Sequence, residues 1–366
     1  MNVDTRRVFV AATQQNDGKT TTALGLFAAL RKRVGRIGFI KPVGQRFVEV
    51  DGKRIDEDSV LIDQTFGVHT PLEAMSPIAI EPDFTRRYIE NSNNDFLVRR
   101  IQNSFDRAAW EKDFVIVEGT GHAGVGSVFD LSNARVAHIL GSKVILITGG
   151  GIGRPIDEVA LNKALFDREG VELVGVILNK ITPAKFDYVR DFARRGLERL
   201  GIDLIGAIPT EPILANATLG QICKSTRGTF VNAKSRSRRR VRKVVIGAMN
   251  SSHAMAYFEP GTLIITPGDR DDVILAVLSA STLSANDGES IAGLVLSGDL
   301  VPSSAIMDLI KHSDVPTIST PLDSYSVASS IHSMTVKTLP GDVEKIDKIQ
   351  SLIDTYVEVD RLLEKL

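Results

Sequence analysis

The sequence predicts an α/β protein: a mostly parallel sheet with helices on both faces, followed by a second, smaller α/β domain. Three observations carry this. Apolar, β-rich runs recur at 37–40, 114–117, 144–147, 173–178 and 204–208, each continuous rather than alternating, as in strands covered on both faces. Helical patterns separate them, notably 155–169 and 183–200, with Pro155 and Pro183 at first-turn positions. A break at Pro209-Thr210-Glu211-Pro212 is then followed by a second alternation of the same kind.

Composition narrows the function classes. Hydrophobic residues make up 43% and charged residues 24% of the 366 positions, so the chain can bury a sizeable core. The net charge of −1 gives no global pull toward nucleic acid or anionic membrane, and neither is expected as a partner. The single cysteine, Cys223, excludes an internal disulfide framework and a cysteine zinc cluster. It suits a reducing cytosol, and Cys223 reads as a packing residue. The amino terminus lacks an apolar signal core, and no apolar run reaches the ~18 residues of a membrane span. A cytoplasmic protein is expected.

The first element is the apolar run 8–12. It passes through Thr13-Gln14-Gln15-Asn16-Asp17 into Gly18-Lys19-Thr20-Thr21, where a helical pattern begins at once. Strand, turn with Gly-Lys-Thr, then helix is the context of a phosphate-binding loop, so a P-loop NTPase-type sheet is expected. Backbone N–H groups and the helix start face an anion there. Lys19 would reach terminal phosphates and the Thr20 hydroxyl would hold Mg²⁺. Thr13 stands where the usual pattern has its first glycine.

The next strand ends in Lys41, which reads either as a site lysine on the same carboxyl-end rim as Lys19 or as a strand-end lysine that snorkels to solvent. Asp56, Glu57 and Asp58 form an acidic cluster in an expected loop, which reads either as the source of a metal ligand or as an ordinary solvated loop. The strand 114–117 runs into Glu118-Gly119-Thr120-Gly121-His122. A carboxylate at a strand end beside a phosphate loop suits a Mg²⁺ ligand or water-orienting group. His122 reads as a surface loop residue. Thr148-Gly149-Gly150-Gly151-Ile152-Gly153 offers close backbone approach to a phosphate or substrate carboxylate. Asn179 ends a strand where its amide can meet a base edge.

From 214 to 243 the pattern is irregular and includes the basic run 234–243. That run lacks aromatic residues for base stacking and reads as a solvated edge or linker. Strands are then expected at 244–248, 263–266, 291–296 and 317–320. Helices are expected at 271–283, 303–312 and 324–332, with a final charged helix within 343–366.

These strand-end motifs, in this order, resemble the dethiobiotin synthetase family and the related amino-terminal domain of long phosphotransacetylases. That family also carries Thr at the first-glycine position. The resemblance implies ATP and Mg²⁺ as cofactors. It assigns Thr13, Asn16, Asp17, Gly18, Lys19, Thr20 and Thr21 to cofactor binding, with Gly18-Lys19-Thr20 at the phosphates, Asn179 reading the base and Pro209 near the nucleotide. Thr20, Asp58 and Glu118 would hold the metal, with Asp56 an alternative to Asp58. Lys19, Lys41 and Glu118 would be the catalytic groups. Gln15 and Gln45 replace the threonine and serine of the dethiobiotin synthetases, so Lys41-Pro42-Val43-Gly44-Gln45 lies closer to the phosphotransacetylase domain. The stretch 261–270 and an altered Thr-Gly-Gly element at Ser297-Gly298-Asp299 resemble the DRTGG domain. Asp269-Arg270 reads either as a ligand-binding pair or as an internal ion pair.

The expected domains are 1–212, ATP-binding; 213–325, DRTGG-like; and 326–366, a terminal strand and charged helix packed on the second domain. Two functions follow from the resemblance. One is phosphoryl transfer from ATP to activate a small carboxylate, carbamate or amine substrate, in a homodimer. The other is a nucleotide-gated regulatory or metabolite-sensing module with slow ATPase activity. The enzyme expectation leans to an ATP hydrolase or ATP-dependent ligase. Acetyl transfer between phosphate and coenzyme A is not expected.

Overall fold

The protein is described here by a computed structural model that covers residues 2–284 and 291–366. It divides into two compact units, Met1–Glu211 with Thr338–Leu366, and Pro212–Lys337.

In the first unit, β1 (Arg6–Ala12) leads through the phosphate-loop stretch into α1 (Lys19–Val34), and β2 (Ile37–Ile40) follows. β3 (Phe114–Glu118), β4 (Lys143–Gly149), β5 (Leu173–Ile181) and β6 (Leu204–Pro209) complete the sheet. The strand order is β6-β5-β4-β1-β3-β2, and every pairing is parallel. β1 is therefore central, with β3 on one side and β4 on the other. The chain reverses its direction of travel across the sheet at β1, and ligands bind outside the carboxyl ends at such a reversal. Val8 to Ala12 and Phe114 to Val117 are wholly enclosed, as their continuous apolar character requires.

Helix α1 starts at Gly18, whose φ of 97° places it in the left-handed region. It ends at Gly35 after Arg31, Lys32 and Arg33, basic residues that favour the carboxyl end of a helix dipole. Between β2 and β3 lies an insertion. An antiparallel hairpin pairs Phe47–Val50 with Lys53–Asp56, and α2 (Glu57–Phe66) follows directly. The acidic cluster expected in a loop is thus the end of a strand and the start of a helix. Asp56 caps α2 by accepting the Asp58 N–H at 2.9 Å. Farther along, α3 (Asn94–Ala109) buries Leu97, Ile101 and Phe105, α4 (Arg154–Arg168) follows the glycine-rich turn, and α5 (Phe186–Glu198) precedes β6.

Early in the second unit, after a single helical turn at Pro212–Ala215, comes α6 (Leu219–Ser225), held by a reciprocal cap between Thr218 and Gln221. The irregular segment expected at 214–243 thus contains regular structure. Two of its arginines are also tied down: Arg236 pairs with Asp314 at 2.7 Å, and Arg239 donates to the Ile291 carbonyl. Cys223 is buried, and burial pushes its thiol up. The sheet comprises β7 (Thr229–Phe230), β8 (Lys243–Ile246), β9 (Thr262–Pro267), β10 (Gly293–Ser297) and β11 (Thr317–Ser319), in the order β7-β11-β10-β9-β8. Only β7 runs antiparallel. α7 (Asp271–Ser284), α8 (Ser304–His312) and α9 (Ser324–Ser333) connect and cover the strands. Arg270 forks onto Asp272, at 2.8 and 2.9 Å, rather than onto Asp269. That bond draws the Asp272 carboxyl down to about 2.

The chain then returns to the first unit. α10 (Val343–Tyr356) and α11 (Val359–Lys365) pack there, which corrects the expectation that the carboxyl-terminal helix covers the second domain. The reason is a fit between helices. Gly25 of α1 leaves room for Ile349 and Ile353 of α10, and a Cβ at Gly25 would overlap Ile353. Lys32–Asp354 and Arg33–Asp360 ion pairs, at 2.7 and 2.6 Å, flank the seam. Among the described residues no helix is long and apolar enough to cross a membrane.

Candidate functional site

The site forms where β1, β3, β4 and β5 end. The turn after β1 is anchored first by the Thr13 N–H, which donates to the Ile147 carbonyl at 2.8 Å. The Thr13 hydroxyl donates to Asp17 Oδ2 at 2.8 Å, and it lies 3.0 Å from Thr148 Oγ1 and 3.2 Å from Glu158 Oε2. A side chain at the first-glycine position is therefore used to fasten the loop. Asp17 Oδ2 also accepts the Gln14 N–H. Asn16, with φ 72°, and Gly18 turn the backbone into α1. From β5, the Asn179 amide donates to the Asp17 carbonyl at 2.8 Å, and the Lys180 ammonium donates to the Asn16 carbonyl at 2.6 Å.

Lys19 and Thr20 begin α1 on this rim. The Lys19 ammonium donates to the Gln14 carbonyl at 3.3 Å, while Thr21 is half-buried in the same turn. Burial pulls Lys19 down to about 8; Glu118 opposes that shift and Lys41 adds to it. The Thr20 hydroxyl donates to Glu118 Oε1 at 2.9 Å.

Glu118 closes β3 and is 1% exposed. Burial pushes its carboxyl up to about 7, against the pull of Lys41, with Asp58 and Asp56 adding to the rise. Lys41 lies among three carboxylates: its Nζ contacts Asp58 Oδ2, lies 3.2 Å from Asp56 Oδ1 and is 3.6 Å from Glu118 Oε1. Burial would lower this ammonium, but Asp58, Glu118 and Asp56 outweigh it and hold it above its ordinary value. Two carboxylate oxygens there, Asp56 Oδ2 and Glu118 Oε2, are buried without a hydrogen-bond partner. Among the described residues no group of three or more His, Cys, Asp or Glu forms a ready metal cage. Here the Lys41 side chain fills the space between the carboxylates.

The structure brings the first unit's candidate residues to the carboxyl-end rim of its sheet, with particular partners, while Asp269-Arg270 lies in the second unit. Asn179 braces the phosphate loop. Pro209 ends β6 in register with Ile181. His122 is exposed, and its ring nitrogen accepts the Gly124 N–H. In the glycine-rich turn, a Cβ at Gly150 would lie 2.7 Å from the Ile181 Cα, so close backbone packing requires that glycine.

Sequence reasoning missed Glu158 and Asn162. Glu158 Oε1 accepts from Gln14 Nε2 and from Arg154 Nε, each at 2.6 Å. Asn162 Oδ1 accepts the Ala123 N–H at 2.8 Å. The i, i+4 spacing of Arg154 and Glu158 was visible, but nothing local showed that α4 meets the phosphate loop.

Comparison with known proteins gives the relationships. The family described as AAA domain matches residues 6–218, and the DRTGG domain matches residues 221–334. The phosphate acetyltransferase of Pseudomonas aeruginosa is 30% identical over 98% of this chain and 51% of its own length. Those of Nitrosomonas europaea and Pseudomonas putida are 26% and 28% identical over 98% and 96% of this chain. The chain spans about half the length of the curated relatives it matches. Among solved structures, the MinC:MinD cell division complex of Aquifex aeolicus has a TM-score of 0.36 at 15% identity, over 57% of this chain and 83% of that one. The CBS and DRTGG domains of the regulatory region of Clostridium perfringens pyrophosphatase, complexed with the activator diadenosine tetraphosphate, have a TM-score of 0.28 at 24% identity. That match covers 37% of this chain and 54% of that one. The relatives correct one expectation: they are acyltransferases by name, which overturns the leaning to an ATP hydrolase or ligase and away from acetyl transfer.

Proposed function

The chain belongs to the AAA domain family, and on that footing we propose that it is the nucleotide-binding, regulatory part of a phosphate acetyltransferase system. The first unit binds ATP with Mg²⁺, and that binding sets the rate of acetyl transfer. The observation that carries this reading is the hydrogen bond from Thr20, beside the Gly18-Lys19 turn, to the buried Glu118 carboxylate. It joins a phosphate-loop hydroxyl to an acidic strand end, which is the donor set a phosphate-bound Mg²⁺ uses.

The residues fit such an ion. Glu118 Oε2 is buried and lacks a partner, as an oxygen reserved for a cation would be. Thr20, Asp58 and Glu118 would hold the metal, which supplies positive charge to the phosphate oxygens when bound. Lys19 and Lys41 lie on the same rim to receive phosphate, Asn179 holds the loop that would cradle it, and Pro209 would lie near the nucleotide.

The experiment is calorimetry of ATP with and without Mg²⁺, paired with acetyl transfer assayed with and without ATP. Saturable, Mg²⁺-dependent ATP binding that changes the transfer rate supports the reading. A protein that takes up no ATP, with a transfer rate indifferent to it, refutes it.

A further inference from the structure

Asp56, Asp58 and Glu118 reach one point from different elements: the end of the hairpin, the first turn of α2 and the end of β3. All three are buried, and the charge placed among them is the ammonium of Lys41, itself only 8% exposed. Lys41 is the ammonium in direct contact with the three carboxylates, with Lys19 acting on Glu118 and Asp58 from the same rim, while Asp56 Oδ2 and Glu118 Oε2 stay without a donor. Buried carboxylate oxygens without partners are costly, so the cluster is under-neutralised as it stands. Glu118 Oε1 also accepts from Thr20 at 2.9 Å and lies 3.6 Å from Lys41 Nζ. The lysine therefore rests against the very oxygen that the metal reading assigns to the ion. Two cations sharing that small buried space would repel strongly.

We infer that Lys41 and a divalent cation are alternative occupants of the Asp56–Asp58–Glu118 cluster, with the lysine as resident counter-ion until the metal enters. This rests on the nucleotide and metal reading above. Metal alone binds against the loss of the lysine's three partners. A nucleotide changes that balance, because its phosphates offer the displaced ammonium a new anionic partner on the same rim. Metal and nucleotide then reinforce each other, and the coupling resides in Lys41.

The test is Mn²⁺ binding to the whole chain, read from the spectrum of free Mn²⁺, with and without ATP. Wild type should bind Mn²⁺ alone weakly and about tenfold or more tighter with ATP. Lys41→Met should bind Mn²⁺ alone about tenfold tighter than wild type and lose most of the ATP effect. The double variant Lys41→Met/Glu118→Gln should lose that gain, which places the ion at the cluster. A folded Lys41→Met that binds Mn²⁺ no better than wild type overturns the inference, while Mn²⁺–ATP binding by wild type leaves the nucleotide reading standing. No Mn²⁺ binding by any protein, with or without ATP, overturns both. If Lys41→Met does not fold, acylation of Lys41 in wild type decides the matter. Labelling should rise as Mn²⁺ alone saturates, since no phosphate is then present to receive the displaced ammonium, and labelling unchanged by Mn²⁺ overturns the inference.

Discussion

The side chain of Asn179 is packed so tightly against Gly18 that a Cβ on the glycine would overlap the asparagine amide nitrogen. The same nitrogen donates to the Asp17 carbonyl at 2.8 Å. Glycine is required twice over here, by this contact and by its φ of 97°. β5 therefore holds the phosphate loop in shape from behind.

Asn179→Ala should accordingly weaken ATP and inorganic tripolyphosphate alike. Losing one buried hydrogen bond costs about 1 kcal/mol, or roughly fivefold in affinity. Calorimetry with both ligands is the measurement. A loss confined to ATP would assign Asn179 to the base instead of the loop.

Glu118→Gln should separate metal from phosphate. The substitution keeps size and accepts the Thr20 hydroxyl, but it removes a charge from a residue that is 1% exposed. The Mg²⁺-dependent part of ATP affinity should fall by about tenfold, in keeping with the ~1.5–3 kcal/mol of a charged partner. ATP affinity in the presence of chelator should hold or improve slightly. Equal losses in both conditions would remove Glu118 from the metal.

Why some of this site was legible and some was not follows from how each part is built. Glu118 stood out because a continuous apolar strand ends abruptly in a carboxylate. Lys19 and Thr20 stood out because strand, glycine turn and helix are contiguous. That Asp56 and Asp58 meet Lys41 did not, since they arrive through an insertion, at the end of a half-exposed hairpin and in the first turn of α2. Glu158 was hidden for a similar reason: its contact with Gln14 depends on how α4 leaves the glycine turn. In α10, Ile346, Ile349 and Ile353 mark a buried face by their spacing. Spacing shows that something covers such a face, not that Gly25 of α1 does.

That helix seam yields a stability test. Ile353 is almost wholly buried against α1. Ile353→Ala should destabilise the first unit by about 2–5 kcal/mol, the usual range for such truncations. The check is denaturant unfolding followed by a probe in the first unit. A change below about 1 kcal/mol would mean that α10 contributes little to that core.

The last expectation concerns pH, and its sign follows from Lys19. Burial foremost lowers this ammonium from 10.5 to about 8 in the ligand-free protein. Bound phosphates favour the charged form, so the nucleotide complex should keep its proton to higher pH. Above about 8 the free protein loses that proton and the complex does not, so binding must take one up. ATP affinity should then fall as pH rises from about 8, by up to tenfold per unit, and be flat on this account below it. Ligand-free stability should move the opposite way. The unfolded chain holds the proton up to 10.5 and the folded protein only to about 8, so stability should rise with pH across that window. Calorimetry at about pH 8.5 in two buffers of different ionisation enthalpy reads the proton directly. Lys19→Arg, which stays charged throughout, should flatten both profiles. An affinity in wild type that stays constant from about pH 7.5 to 9.5, with no proton taken up, would mean that Lys19 does not meet the phosphates.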